Sequence, residues 1–384
     1  MKKHTVELVL ARRHSAKFVL AAGLACAIPL AALAQEVKLG VVLSSTGTFA
    51  FVGAPVINAI KMAYEELEAS NYFGKTRVTL MVEDNRSDKQ EALTLINRMA
   101  TRDNAVMIIG PVSTGEAMAA APLAVDLKVP LFTTATAPDV LKAGPWIFKS
   151  TETAEQYMPP LGKYVAEKLK PKSCMYIFIR DNEGYVRQKD ILRDVMKGEG
   201  VAVAGEESIL AADSDFTALA TKIVAAKPAC IYVGTPPEQG ANIVLQARQA
   251  GMPAQTILVG NSGMGSERYL KAGGKLVEGT LLPTDFVPTG FNEQGRKFVE
   301  NYKKKYGMAP DSWAAVGYSM MLVAANAIHG AGANPTRDAV RQAMAGTRNV
   351  PVVVGHGTFS LDADRIPHYG GVVLEIKDGK WIQP

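Results

Sequence analysis

The chain has 384 residues, 48% hydrophobic and 21% charged, and it carries a formal net charge of +5. That composition supplies two or three domain cores and excludes a disordered or fibrous polypeptide. Five Lys/Arg and one acid fall in the first 34 residues, and the remainder holds 37 basic against 36 acidic side chains. This balance excludes a role in nucleic-acid binding that rests on net charge.

The first 34 residues read as a secretory signal peptide. Lys2, Lys3, Arg12, Arg13 and Lys17 form a basic region, Phe18 to Leu33 is almost wholly apolar, and Ala32-Leu33-Ala34 is a small-residue cleavage site before Gln35. The apolar run is short for a membrane span and is broken by Pro29. Cys26 lacks the leucine that a lipoprotein site carries three residues upstream, so it is read as part of the signal. The expected destination is the periplasm.

From Val37 the chain alternates short apolar runs with amphipathic ones. Strands are expected at 37–43, 78–82, 105–109 and 129–132. Between them lie helices carrying Val56, Ile57, Ile60, Tyr64 and Leu67, then Leu93, Ile96 and Met99, then an Ala-rich helix near 116–127. Strands alternating with helices of this length predict βαβ units and a parallel sheet covered on both faces. The pattern restarts after Trp146–Thr151, with strands at 174–179, 201–203, 231–233 and 256–259 and helices between them. A second series needs its own core, so two similar α/β lobes are expected. The last third is less regular: a strand at 280–282, helices near 295–306, 312–328 and 337–345, and a terminal hairpin turned by Asp378-Gly379. Beyond the signal only Cys174 and Cys230 remain. A disulfide and two buried thiols are both compatible with the sequence.

Signatures of catalysis are missing. His329, His356 and His368 stand outside any H-E-x-x-H or H-x-E pattern, and the two cysteines form no C-x-x-C pair. Gly260-Asn261-Ser262-Gly263 lacks the spacing of a nucleophile elbow, and no phosphate-binding loop occurs. No metal and no cofactor is expected. Small hydroxyl residues follow three strands of the first lobe instead: Ser44-Ser45-Thr46, Ser113-Thr114 and Thr133-Thr134-Ala135-Thr136. Ligands of open α/β sheets bind beyond the carboxyl ends of the strands, where helix N-termini favour an anion. Helix capping by Ser113 or Thr114, and turn chemistry at Thr134 and Thr136, are the competing readings.

At these residues the sequence resembles the periplasmic branched-chain amino acid (Leu/Ile/Val) binding proteins. The landmarks are KLGVVLSSTGTFAFVG, MIIGPVSTGEAMAAAPLA, VPLFTTATAPDVL, GTPPEQGANIVLQARQAGM and GGVVLEIKDGKW, which together span nearly the whole chain after the signal. The resemblance implies the type I periplasmic binding fold: two Rossmann-like lobes with parallel central sheets, joined by three crossovers and closing on a ligand. Lobe one is expected to hold 35–148 and 280–350, and lobe two 149–279 and 351–384. It implies no enzymatic activity, a small-molecule carboxylate ligand, and the membrane permease and ATPase of an ABC importer as partners, with the receptor itself a monomer. Carried over by motif, Thr114 binds the ligand carboxylate, and Thr136 with the backbone of Thr134 and Ala135 binds carboxylate and ammonium. Tyr185, Thr235 and Ser262 close from lobe two, and Phe51 and Trp313 form apolar walls. The competing readings are a surface helix residue for Tyr185, a turn for Thr235 and ordinary core for the two aromatics.

Two departures stand out. The family's amino-acid binders have an acid after the strand that ends here at Val259, but this chain reads Gly260-Asn261-Ser262-Gly263. The aromatic-Gly pair after the first strand of lobe two is replaced by Asp181-Asn182-Glu183-Gly184-Tyr185. A buried ammonium without a counter-ion is costly. The expected ligand is therefore an aromatic or other organic acid without an α-ammonium. An amino acid ligand paired with Glu183, and a secreted sensory protein with the same capture step, are the alternatives.

Overall fold

The structure is a computed structural model that describes residues 36–287 and 292–384. The expected signal segment lies outside the described residues. In chain order the first lobe contributes β1 (Glu36–Leu43), α1 (Ala50–Ala69), β2 (Arg77–Asp84), α2 (Lys89–Thr101), β3 (Met107–Ile109), α3 (Thr114–Asp126), β4 (Leu131–Thr133) and β5 (Ile147–Lys149). The second contributes α4 (Ala154–Tyr164), β6 (Ser173–Ile179), α5 (Glu183–Gly198), β7 (Ala202–Ile209), α6 (Thr217–Ala226), β8 (Cys230–Gly234), α7 (Pro237–Gln249), β9 (Ile257–Gly260), α8 (Glu267–Gly273) and β10 (Leu281–Thr284). The chain continues through α9 (Glu293–Tyr306), α10 (Ser312–Gly330), α11 (Arg337–Ala345), β11 (Val350–Pro351), β12 (Thr358–Leu361), β13 (Pro367–His368), β14 (Val372–Lys377) and β15 (Lys380–Ile382).

The first sheet runs β2-β1-β3-β4-β5, parallel throughout. The second runs β15-β14-β10-β9-β8-β6-β7, and its five strands from β10 to β7 are parallel in the same relative order. Each sheet reverses direction of growth beside its first strand, which opens a crevice at the carboxyl ends of β1 and β3 and of β6 and β8. The strands read as unbroken apolar runs because helices cover both faces. In lobe one, Val56, Ile60 and Ala63 of α1 pack with Val316 and Met320 of α10 on one face. Ile96 and Met99 of α2 with Ala117 and Ala121 of α3 cover the other. Each fully buried Ile or Met contributes roughly 1.5–3 kcal/mol. Helix α10 is buried on nearly every side, and at Gly317 a Cβ would strike the Val56 backbone, so α1 and α10 pack at close range.

Cys174 and Cys230 sit side by side on β6 and β8 and form a disulfide, with Cα atoms 4.5 Å apart. This settles the choice that the sequence left open.

Two lobe boundaries differ from expectation. Strand β10 pairs with β9 and β14, so the chain is still in the second sheet at Thr284, beyond the expected crossing at 280. Val350, Val352, Phe359, Leu361 and Tyr369 pack in the first lobe's core, so the expected crossing at 350 falls after Tyr369 instead. The strands in these segments are only two to four residues long, too short for periodicity to assign them to a sheet.

The crossing segments meet in a buried polar cluster. Glu152 accepts from the N–H groups of Tyr369 (3.1 Å) and Gly370 (2.8 Å), and its own N–H donates to the Tyr369 hydroxyl at 2.9 Å. Lys149 is wholly buried and donates to the Ala135 carbonyl. Burial pushes its ammonium down to about 7. Burial, reinforced by the Glu152 charge, raises Asp285 to about 7 from 3.8. A carboxyl whose folded-state pKa is raised makes the fold lose stability as pH climbs from about 4 to about 7. An Asp285→Asn variant lacks that loss. Its melting temperature relative to the parent should therefore rise between about pH 4 and about pH 7 in calorimetry, and a constant difference would remove Asp285 from the pH dependence.

Candidate ligand-binding cleft

Five helical starts face one another between the lobes. From lobe one come α1 with Phe51 and Val52, α3 with Ser113 and Thr114, and α10 with Trp313. From lobe two come α5 with Gly184, Tyr185 and Gln188, and a single 3-10 turn at Ser262–Gly265. They enclose a narrow cleft with about 450 Å³ of empty space, a figure that includes open solvent. Each start presents N–H groups that have no partner inside the helix and the positive end of its dipole. No Asp, Glu, Lys, Arg or His is among the described lining residues. The fixed field of the site therefore comes from peptide groups and favours an anion.

The turns are built for this. Gly110 closes β3 at φ +115, a conformation suited to glycine, and delivers the chain to α3. Ser113 caps α3: its hydroxyl accepts from the Glu116 N–H at 3.2 Å, and the Glu116 carboxylate accepts from the Ser113 N–H at 2.8 Å. Asn85 donates to the same carboxylate at 2.6 Å and accepts from the Ser44 hydroxyl at 2.8 Å, which anchors the cap to the end of β1. The Thr114 hydroxyl oxygen accepts from the Thr136 N–H at 3.2 Å and lies 3.5 Å from the Thr136 hydroxyl. In lobe two, Asn182 caps α5 through the Gly184 N–H at 2.9 Å, and Asn261 caps its turn through the Gly263 N–H at 2.7 Å. Burial raises the Tyr185 phenol well above its ordinary range, so it stays neutral.

The lobes are closed on each other. A Cβ added to Gly184 would lie 2.8 Å from the Thr114 hydroxyl and 2.9 Å from that of Thr136. One added to Gly263 would lie 3.1 Å from the Phe51 ring.

Of the residues expected from sequence, Phe51, Ser113, Thr114, Thr134, Thr136, Tyr185, Ser262 and Trp313 line the cleft together. Ser113 and Thr134 do so with their hydroxyls committed, Ser113 as a cap and Thr134 donating to the Val112 carbonyl at 2.6 Å. Ala135 and Thr235 are not on the cleft. The Ala135 N–H donates to Thr133 and its carbonyl accepts from Lys149 and Thr151, so its backbone is spent inside the lobe. Thr235 is wholly buried, with its hydroxyl on the Pro236 carbonyl at 3.0 Å and its carbonyl on Asn261 at 2.8 Å. Glu183, the one acid offered as a counter-ion, is exposed at the start of α5 and is not part of the lining.

Sequence reasoning missed Phe49, Val52, Val112, Asn182, Gly184, Gln188, Asn261 and Gly263 as wall residues. The two asparagines carried a usable signal, since each lies shortly after a strand and immediately before a helical turn. Gln188 carried a weaker one, as a polar residue within the buried stripe Tyr185, Leu192 and Met196 of α5.

Residues 36–380 match the family model described as periplasmic binding protein. The Leu/Ile/Val-binding protein homolog 3 of Brucella melitensis is 24% identical over 332 residues, which cover 86% of this chain and 88% of the relative. A crystal structure of a leucine-binding protein from Thermotoga maritima superposes with a TM-score of 0.83 at 27% identity, over 90% of this chain and 97% of that one. An ABC-transporter solute-binding protein of Rhodopseudomonas palustris, solved with 3,4-dihydroxybenzoic acid, superposes with a TM-score of 0.81 at 22% identity, over 90% and 95% of the two chains. Among the described residues no helix is long and apolar enough to cross a membrane, and no group of metal-ligating side chains is present. The two-lobed fold with its anion-favouring cleft and the match along nearly the whole length lead to one assignment: the chain belongs to the periplasmic binding protein family, the non-enzymatic solute receptors of ABC transporters.

Proposed function

We propose that this receptor captures a small carboxylate without an α-ammonium, an aromatic or other organic acid, and presents it to a membrane permease and its ATPase. The observation that carries the reading is the absence of any acidic side chain from the described lining. An ammonium brought among helix N-termini would meet positive dipole ends and no counter-ion, whereas a carboxylate meets N–H donors. Thr114 and Thr136 from lobe one, with the α5 start at Gly184 from lobe two, are the groups we place around the carboxylate. Phe49, Phe51, Val52 and Val112 form the apolar side. The dihydroxybenzoic acid held by the Rhodopseudomonas palustris protein is a ligand of this kind in a protein of the same fold.

A thermal-shift panel tests this on the protein stripped of endogenous ligand by unfolding and refolding. It pairs amino acids with their deaminated acids and adds benzoates, phenylacetates and hydroxycinnamates. A ligand at about 1,000 times its Kd stabilises by about 4 kcal/mol, which moves the melt by several degrees. Acids that lack the amine should shift the melt while leucine, isoleucine and valine do not. A shift with leucine alone would overturn the reading and restore an amino acid as ligand.

A further inference from the structure

Two polar atoms in the cleft wall have no hydrogen-bond partner: Gln188 Oε1, an acceptor, and Trp313 Nε1, a donor. Both side chains line the cleft and both are over nine-tenths buried, at 4% and 7% exposure. They come from opposite lobes, Gln188 one turn into α5 behind Gly184 and Trp313 at the start of α10. Native proteins satisfy nearly all such atoms, and each that is left bare carries the full cost of its desolvation. Elsewhere the cleft does follow that rule. Asn182, Asn261, Ser113 and Thr134 all have protein partners. Both exceptions belong to residues that line the cleft.

We propose that Gln188 and Trp313 select acids that also carry a hydroxyl group, which donates to Gln188 Oε1, while Trp313 Nε1 donates to a ligand oxygen. The proposal rests on the carboxylate reading above and narrows it to hydroxylated acids. A purely aliphatic or unsubstituted aromatic acid would bury the Gln188 oxygen without a donor. An α-ammonium could also donate to Gln188, but the described wall offers it no counter-ion. A site built to pair a buried polar atom rejects the analogue that lacks the matching group far more strongly than an apolar wall rejects a change of size.

The test is calorimetric titration of the full, refolded protein with benzoate, 4-hydroxybenzoate, 3,4-dihydroxybenzoate, 3-phenylpropionate, 3-(4-hydroxyphenyl)propionate and leucine. At least one hydroxylated acid should bind about tenfold or more tightly than its parent acid. Gln188→Met should erase that preference by weakening the hydroxylated acid about tenfold relative to its parent acid. Trp313→Phe keeps the ring and removes the N–H, and it should weaken the hydroxylated acid as well. The parent-acid comparison in the unaltered protein needs no variant to fold. Parent acids that bind as well as hydroxylated ones, or binding by none of the hydroxylated acids, would overturn the selection. A loss in Gln188→Met that is equal for both members of a pair would also count against it. Binding of leucine with none of the acids bound would overturn the carboxylate reading itself, and the selection with it.

Discussion

A Gly184→Val variant will hold its ligand roughly 10- to 100-fold more weakly than the parent and keep the same melting temperature without ligand. The new Cβ would stand 2.8 Å from the Thr114 hydroxyl and 2.9 Å from that of Thr136, both on the opposite lobe. Overpacking of this kind costs about 1–3 kcal/mol, and most of it falls on the closed arrangement, since of the three nearest atoms only Asn182 Oδ1, at 3.1 Å, belongs to the same lobe. Each lobe folds without the contact, and separating the lobes relieves it. The apparent affinity then falls by the fraction of closed, binding-competent molecules that is lost, about tenfold for each 1.4 kcal/mol. Calorimetry with the best acid of the panel measures the affinity, and small-angle scattering at saturation reports the lobes. Parent-like affinity with a parent-like scattering curve would mean that Gly184 does not meet lobe one when ligand is bound.

The second large effect belongs to stability. A Cys174→Ala/Cys230→Ala protein should lose about 4 kcal/mol, the chain-entropy value for a loop of this length, the cysteines being 56 residues apart. The loss falls on lobe two, where both sulfurs are wholly buried on adjacent strands. A lobe of this size shifts by roughly 2–4 °C per kcal/mol, so its transition should move down by about 10 °C. Scanning calorimetry of the oxidised parent and the variant tests this, and the two lobes need not melt together. Coincident transitions would show that the strand pairing of β6 and β8 holds lobe two without the bridge. Alanine is the appropriate replacement because a serine would bury two more hydroxyl groups.

Much of this architecture is legible in the sequence, and the reason is local. Within lobe one each strand, turn and helix is continuous in the chain, so hydroxyls that follow Leu43, Ile109 and Phe132 had to reach the same sheet edge. Thr114 and Thr136 lie on that edge and line the cleft, although the residues alone left capping and turn chemistry open and the resemblance singled them out. Ala135, between them, does not line it, because alternate residues along a short extended stretch face opposite ways, and this one turns into the lobe toward Lys149. Lobe two was harder. Which face of α5 reaches the ligand depends on how the lobes close, and no local periodicity records that. Tyr185 and Gln188 both line the cleft from one stripe of α5, but only Tyr185 was singled out from the sequence. Thr235 failed for another reason: the Pro236-Pro237 pair that made it look like a loop residue also starts α7, and the threonine is buried beneath it. The crossings after Thr284 and Tyr369 were displaced because sheet membership of a short strand is a long-range property.

A receptor that works outside the cytoplasm must operate at whatever acidity its surroundings impose. On the carboxylate reading proposed above, the cleft holds its anion with peptide dipoles, hydroxyls and amides, and the described lining has no carboxylate, imidazole or amine. None of those groups gains or loses a proton over the range in which organic acids are ionised. Its phenol, Tyr185, is pushed by burial further from that range. If the ligand is the acid proposed above, its capture follows the ionisation of the ligand and not of the cleft wall, so that a cell could scavenge it from acidic or alkaline surroundings with one unchanged receptor.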